Sequence, residues 1–279
     1  MGLGPTARRR RLGAHLAEMR ESSELSVAHV AGHVGVSEQT LRNWERGLST
    51  MRKMELHALC ELYEASADVR ETLETARRES SKRGWWSTYK LPTWFKPYIG
   101  LENDATLVRN FEQEIIPGLL QTEAYAREIH LYGGHMPQPD RVEQWVSARM
   151  QRQRRLYESS PLELRAVVSE AALRRSIGGE EVMAEQLQHI VKLAELPNVM
   201  FQVISAASGV HAGLSGGGFT VLSFEETDPD IGYIEGPLGG HIIEDSNEVT
   251  TLRHIFDEVR SATLSQRESV KLVRTMIPA

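Results

Sequence analysis

The 279-residue sequence predicts an all-α N-terminal domain followed by a larger α+β domain, and three observations carry that division. Over the first sixty-odd positions apolar residues recur at helical spacing, punctuated by Ser and Gly. Beyond residue 100, strand-like runs lie between long amphipathic stretches without a regular βαβ beat, which favours α+β over a doubly wound sheet. The charge is also split. Residues 1–60 hold nine basic and six acidic side chains, net +3, which leaves 23 basic and 32 acidic, net −9, for residues 61–279. A basic head on an acidic body points to an anionic partner for the head alone.

Taken in order, Leu12, Leu16 and Met19 mark the inner face of a first helix. Ser26 is a good N-cap for VAHVAGHV, whose Val27, Val30, Ala31 and Val34 form an apolar stripe, and Gly35 ends it. Ser37 opens a third helix, SEQTLRNWERG, and MRKMELHALCELYEA supplies a fourth. This places the head at residues 8–65. Residues 66–83, charged and Ser-containing, read as a helical connector, and 84–279 as a second domain for dimerisation and for sensing or partner binding. That domain opens on six of the chain's eighteen aromatics within fourteen residues: Trp85, Trp86, Tyr89, Trp94, Phe95 and Tyr98. They read as core of an entry helix, with Trp85, Trp86, Tyr89 and Trp94 as candidates for a ligand or partner surface. Five strands are expected, in LVRNFEQEI, ELRAVVS, VMFQVI, GFTVLSF and IGYIE. Between and after them come helices: RVEQWVSARMQRQRRLY, with Asp140 and Glu143 as a capping box; EEVMAEQLQHIVKLAEL; NEVTTLRHIFDEVRSATL; and QRESVKLVRTM, opened by a Ser265–Glu268 capping box.

Composition bounds the function. Hydrophobic residues make up 41% and charged residues 25%, ordinary globular usage. No apolar run approaches the ~18 residues of a spanning helix. LGAHLAEMRESS offers no apolar core for a secretory signal behind the arginines. Cys60 is the only cysteine, which excludes an intrachain disulfide. A soluble cytoplasmic protein is expected, with no membrane, metal or cofactor.

The strongest chemical signal is the third helix. A recognition helix presents polar planar side chains to base edges and an apolar face to its own domain. Leu41 and Trp44 point inward, while Glu38, Gln39, Arg42 and Asn43 occupy the other side, and Ala31 permits a close helix crossing. Residues 12–62 resemble the XRE-type (phage repressor-like) helix-turn-helix in Ser37, Thr40, Leu41, Trp44, Glu45 and Gly47. Many such domains carry Gln at the start of the second helix, where Val27 stands here, so Ser26 or the helix N-terminus would supply that phosphate contact. IIPGLLQTEAYAR (115–127), VVSEAALRR (167–175), LPNVMFQVI (196–204) and GFTVLSF (218–224) extend the likeness. They resemble segments of an actinobacterial family that joins this head to a C-terminal domain of unknown function, the antitoxin-like transcriptional regulators. The resemblance implies a sequence-specific DNA-binding regulator. The alternative is an antitoxin-like protein–protein switch that binds a small protein encoded nearby and only autoregulates through DNA.

The DNA-contacting candidates are therefore Ser26, Ser37, Glu38, Gln39, Thr40, Arg42, Asn43 and Arg46, with Arg8 and Arg11 from the basic run 8–11 aimed at phosphate or minor groove. The expected partner is a pseudo-palindromic duplex bound by a homodimer. Gly213-Leu214-Ser215-Gly216-Gly217 spells a nucleophile elbow, but three residues later strand-like sequence begins where a helix is required, so no catalytic residue is assigned. His29 and His33 have metal-chelating spacing without a third ligand. Arg149, Arg152, Arg154 and Arg155 read mostly as salt-bridged surface.

Overall fold

The computed structural model describes residues 7–81, 84–132, 139–225 and 228–278. The first six residues and positions 82–83 at the end of the expected connector lie outside them. The chain divides into two compact units, Met1–Ser87 and Thr88–Ala279.

The first unit holds α1 (Ala7–Ser22), α2 (Val27–Val34), α3 (Glu38–Glu45), α4 (Lys53–Leu62) and α5 (Ala67–Ser80). Serines start three of them: Ser26, Ser37 and Ser66 accept the amides of His29, Thr40 and Val69, each satisfying a donor the helix itself leaves unpaired. Gly35, at φ 77°, closes α2. Leu12, Leu16, Val30, Ala31, Leu41, Trp44, Leu56 and Leu59 form the core. The stretch expected to be a connector belongs to this core. Leu73 of α5 is 1% exposed, Val69 and Ala76 pack beside it, and α5 lies on α1 and α4. Three apolar residues at i, i+4 and i+7 suffice to dock the helix, a stripe too thin to stand out among so many charges.

Close approach in this unit falls at a position not anticipated. A Cβ on Gly13 of α1 would come within 2.4 Å of the carbonyl oxygens of Trp44 and Glu45. Gly47, at φ 65°, likewise leaves no room for a Cβ beside the Arg10 backbone. Helix α1 therefore crosses the end of α3 with no side chain between the backbones.

The second unit runs α6 (Phe95–Asp104), β1 (Leu107–Glu112), α7 (Glu123–Tyr132), α8 (Pro139–Gln153), β2 (Glu163–Ser169), α9 (Glu170–Arg174), α10 (Glu180–Leu193) and β3 (Val199–Ile204). It continues with β4 (Phe219–Ser223), β5 (Ile231–Gly236), β6 (Gly239–Ile243), α11 (Ser246–Ser261) and α12 (Gln266–Met276). The fold is α+β on one mixed sheet, in the order β3-β2-β1-β4-β5-β6. Strands β1, β2 and β3 are parallel, and helical connections link them, so this half does carry a βαβ beat. The other half is antiparallel. All five expected strands are present; β6 is additional, because its Gly-Gly-His start has none of the usual alternation.

One sheet face, through Phe111, Val167, Phe219 and Val221, packs on Val249, Phe256 and Val259 of α11. The Ser265–Glu268 capping box opens α12 as expected, with Ser265 Oγ on the Glu268 amide and the Glu268 carboxylate on the Ser265 amide. Glu143 has another partner: its carboxylate accepts Arg127 Nε at 2.8 Å.

The arginines of α8 correct the surface expectation. Arg152 is buried and donates through Nε and Nη2, both at 2.6 Å, to the carboxylate of buried Glu102 on α6, with the rings of Phe95 and Tyr98 against its guanidinium. Removing one partner strands a charge in the interior. Urea unfolding of Glu102→Ala should lose about 3–5 kcal/mol, whereas Glu102→Leu with Arg152→Met should stay much nearer the parent, since an apolar pair leaves nothing unpaired. Equal losses in both would contradict the buried pair.

Candidate nucleic-acid interface

Helix α3 is built to show one side and hide the other. Leu41 and Trp44, three residues apart, are 1% and 3% exposed, while Glu38, Gln39 and Arg42 are exposed and Thr40 and Asn43 half-buried. At its start, Ser37 Oγ accepts the Thr40 amide at 3.1 Å and shares a 2.8 Å hydrogen bond with Thr40 Oγ1. Along the open side, Gln39 Nε2 donates to Asn43 Oδ1 at 2.9 Å, and Arg42 lies 3.5 Å from Glu38. The two amides thus support each other one helical turn apart, and among the described residues Gln39 Oε1 and the Asn43 amide nitrogen take no other partner, chemistry suited to adenine, with Arg42 suited to guanine. Arg46, exposed, caps the helix C-terminus.

The other candidates are more dispersed. Ser26, exposed, spends its hydroxyl on the His29 amide at 3.2 Å, so the α2 N-terminus beside it is an ordinary capped end. Arg8 and Arg11 are exposed on α1, and Arg8 lies 3.7 Å from Glu79. Their neighbour Arg9 turns inward, where its Nη2 donates to the Ser80 carbonyl at 3.5 Å. The basic run is therefore a helix with an inner and an outer side.

A residue that sequence reasoning missed holds α3 in place. Arg20, in the last turn of α1, donates through Nε (2.6 Å) and Nη2 (3.3 Å) to the two carboxylate oxygens of Glu45, and through Nη1 to the Leu25 carbonyl. Both side chains are nearly enclosed, at 12% and 9% exposure. The Glu45 hydrogen bond holds the Arg20 guanidinium above its ordinary value, against the pull of burial. The signal in the sequence was Glu45 itself, a charge directly after the inward Trp44.

The remaining motifs sort as follows. Gly213–Gly217 lies in turns ahead of β4; Ser215 is exposed, and no helix follows it. His29 and His33 are exposed, and among the described residues no three His, Cys, Asp or Glu side chains cluster for a metal. Of the aromatic candidates, Trp85 and Trp86 meet edge to face within the first unit, with Trp86 buried. Tyr89 is half-buried in the second unit, where Trp94 flanks the start of α6. Among the described residues no helix is long and apolar enough to cross a membrane.

Residues 95–275 match a family described as a domain of unknown function (DUF5753), and residues 11–73 match one described as a helix-turn-helix domain. No curated protein and no solved structure matches the chain.

Glu45→Gln tests the pin directly. It removes the charge while keeping the shape, and should cost the first unit about 1.5–3 kcal/mol in denaturant unfolding, as expected of a charge-assisted hydrogen bond with little water around it. A loss below a few tenths would mean that the pair is too solvated to fix α3.

Proposed function

The chain belongs to the DUF5753 family, with a helix-turn-helix domain ahead of the family's own domain, and from that premise we propose that it is a sequence-specific DNA-binding transcriptional regulator. The observation that carries the reading is the division of α3: Leu41 and Trp44 inside, Gln39, Arg42 and Asn43 outside, and the helix end pinned by Arg20 and Glu45. A helix so presented enters a major groove with its N-terminal half on the bases. Ser37 and Thr40 at that end, Ser26 at the start of α2, and Arg8, Arg11 and Arg46 then fall to the phosphate backbone, which positions the protein without reading sequence.

A single head of this size buries little surface on DNA, so the proposal includes a homodimer. Two heads would occupy half-sites one helical turn, ~34 Å, apart on a pseudo-palindromic operator. The second domain would supply the dimer contacts and the regulatory input. A cytoplasmic location follows from the proposed substrate.

The groove assignment separates two kinds of variant. Gln39→Ala and Arg42→Ala should each lose ~1–3 kcal/mol on the selected operator and relax the preference at one base position. Arg46→Ala should weaken operator and random duplex alike and reduce the salt dependence of binding by about one counterion. Fluorescence anisotropy on both duplexes across a salt series reads all three. Equal losses on both duplexes for every variant would contradict the groove assignment.

A further inference from the structure

The second unit contains a cavity of about 580 Å³, within the range that holds a drug-sized molecule. One side is the sheet face turned away from α11. There Val108, Asn110 and Glu112 alternate along β1, Thr220 of β4 sits opposite Asn110, and Tyr233 of β5 continues the surface. The other side is helical, with Trp94 and Phe95 at the start of α6 and Trp145 and Arg149 on α8. Most of the wall is aromatic or aliphatic, and half-buried His130 stays neutral there because burial lowers its pKa.

Few of the charged groups are available to a ligand. Arg152 is spent on Glu102. Glu114 is exposed and paired with Arg175, and Glu235 is exposed and accepts the Tyr233 hydroxyl at 3.1 Å. Arg149 and Glu112 remain inside, and the charge of exposed Glu235 still acts on Arg149.

Arg149 makes one hydrogen bond among the described residues, from Nη1 to Gln121 Oε1 at 2.6 Å, and no ion pair. Gln121 is fully buried and held by its own amide nitrogen on the Ile116 carbonyl at 2.7 Å, so it presents a fixed but neutral acceptor. A Cβ on Gly118 would come 2.7 Å from Nη1, so glycine there keeps the guanidinium's place open. Burial draws Arg149 down to about 10, which still leaves it charged at neutral pH. An arginine offers five donors, and most of these face no protein acceptor.

Asn110 lines the same cavity. It is 7% exposed in the middle of the sheet. Its amide nitrogen donates to Thr220 Oγ1 at 2.9 Å, the Phe219 carbonyl at 3.3 Å and Glu112 Oε1 at 3.3 Å. Its Oδ1 is shut away from water-sized contact with no partner, a costly state that the packing around it maintains. Burial pushes the neighbouring Glu112 carboxyl up to about 7, against the opposing pull of the Asn110 amide. It therefore holds its charge less firmly near neutrality than an ordinary carboxylate and offsets Arg149 less.

We propose that this cavity binds a small apolar acid, with its flat or aliphatic body against Trp94, Phe95 and Tyr233 and its carboxylate on the Arg149 guanidinium. With Arg152 held by Glu102, Arg149 is the cation of the wall left for a ligand among the described residues, which matches a monoanion; a phosphate dianion would carry in a second charge with nothing to meet it. The assignment rests on the second unit alone and stands whatever the first unit binds.

Isothermal titration of the full-length protein with paired probes tests it: 2-naphthoate against 2-naphthamide, and decanoate against decanamide. Each pair keeps the body and removes the charge. The acid should bind about tenfold or more tighter than its amide for at least one body. Arg149→Met, shown folded by circular dichroism, should lose that preference while still binding the amide. Failure of the wild type to prefer the acid in either pair, including failure to bind any probe, would overturn the proposal, and so would a folded Arg149→Met that keeps the preference. Should Arg149→Met not fold, the wild-type pairs decide, since they need no variant.

Discussion

Glu45 meets Arg20 where α1 passes the end of α3, and the crossing works only because the backbones are bare there. With Gly13 lacking a side chain, the carbonyls of Trp44 and Glu45 sit against α1 itself, and Gly47 turns the chain away at a positive φ. The outward side of α3 depends on this. Gln39, Arg42 and Asn43 are short of tertiary support on their own account, so their geometry relative to a groove is set by how firmly their helix is held. Trp44 anchors that helix from below by burial, and Glu45 anchors it laterally by charge. These contacts restrict different motions, which is why an apolar core alone would leave α3 free to roll.

The second unit solves a different problem with the same kinds of groups. Its sheet buries one face against α11 in purely apolar fashion, while the opposite face carries Asn110 and Glu112 in its central strand. Polar groups in such a place cost stability unless paired. The Arg152–Glu102 pair is complete and braced by two rings, so it acts as structure. Most Arg149 donors meet no protein acceptor among the described residues, and incomplete pairing on a cavity wall is the pattern expected where stability has been traded for a site.

Legibility in the sequence followed the range of the interactions. Serine caps, Gly35 and the stripes of α2 and α3 are local, and the head could be read from them nearly residue by residue. Helix α5 was read as a connector because its three apolar residues look meagre until α1 is placed against them. Gly13 was passed over for a similar reason: the backbone it accommodates lies thirty residues away. In the body, five strands showed themselves by alternation, and β6 did not because two glycines open it. The arginines of α8 misled most. At i and i+3 among glutamines they look like a solvated face, and only the fold brings Glu102, fifty positions earlier, to Arg152. Asn110 did leave a trace, as the polar residue sharing the Val108 side of β1, but a lone Asn in a strand acquires meaning only once that strand proves central.

Under the proposed function, the pinned helix α3 reads a base sequence as part of a two-headed protein. Selection of bound fragments from a random duplex pool by the purified full-length chain tests this most directly. Enrichment of one motif with two inverted half-sites centred one helical turn apart is the expected result. Recovery of sequences no different from the starting pool, at any salt concentration that permits binding, would contradict it.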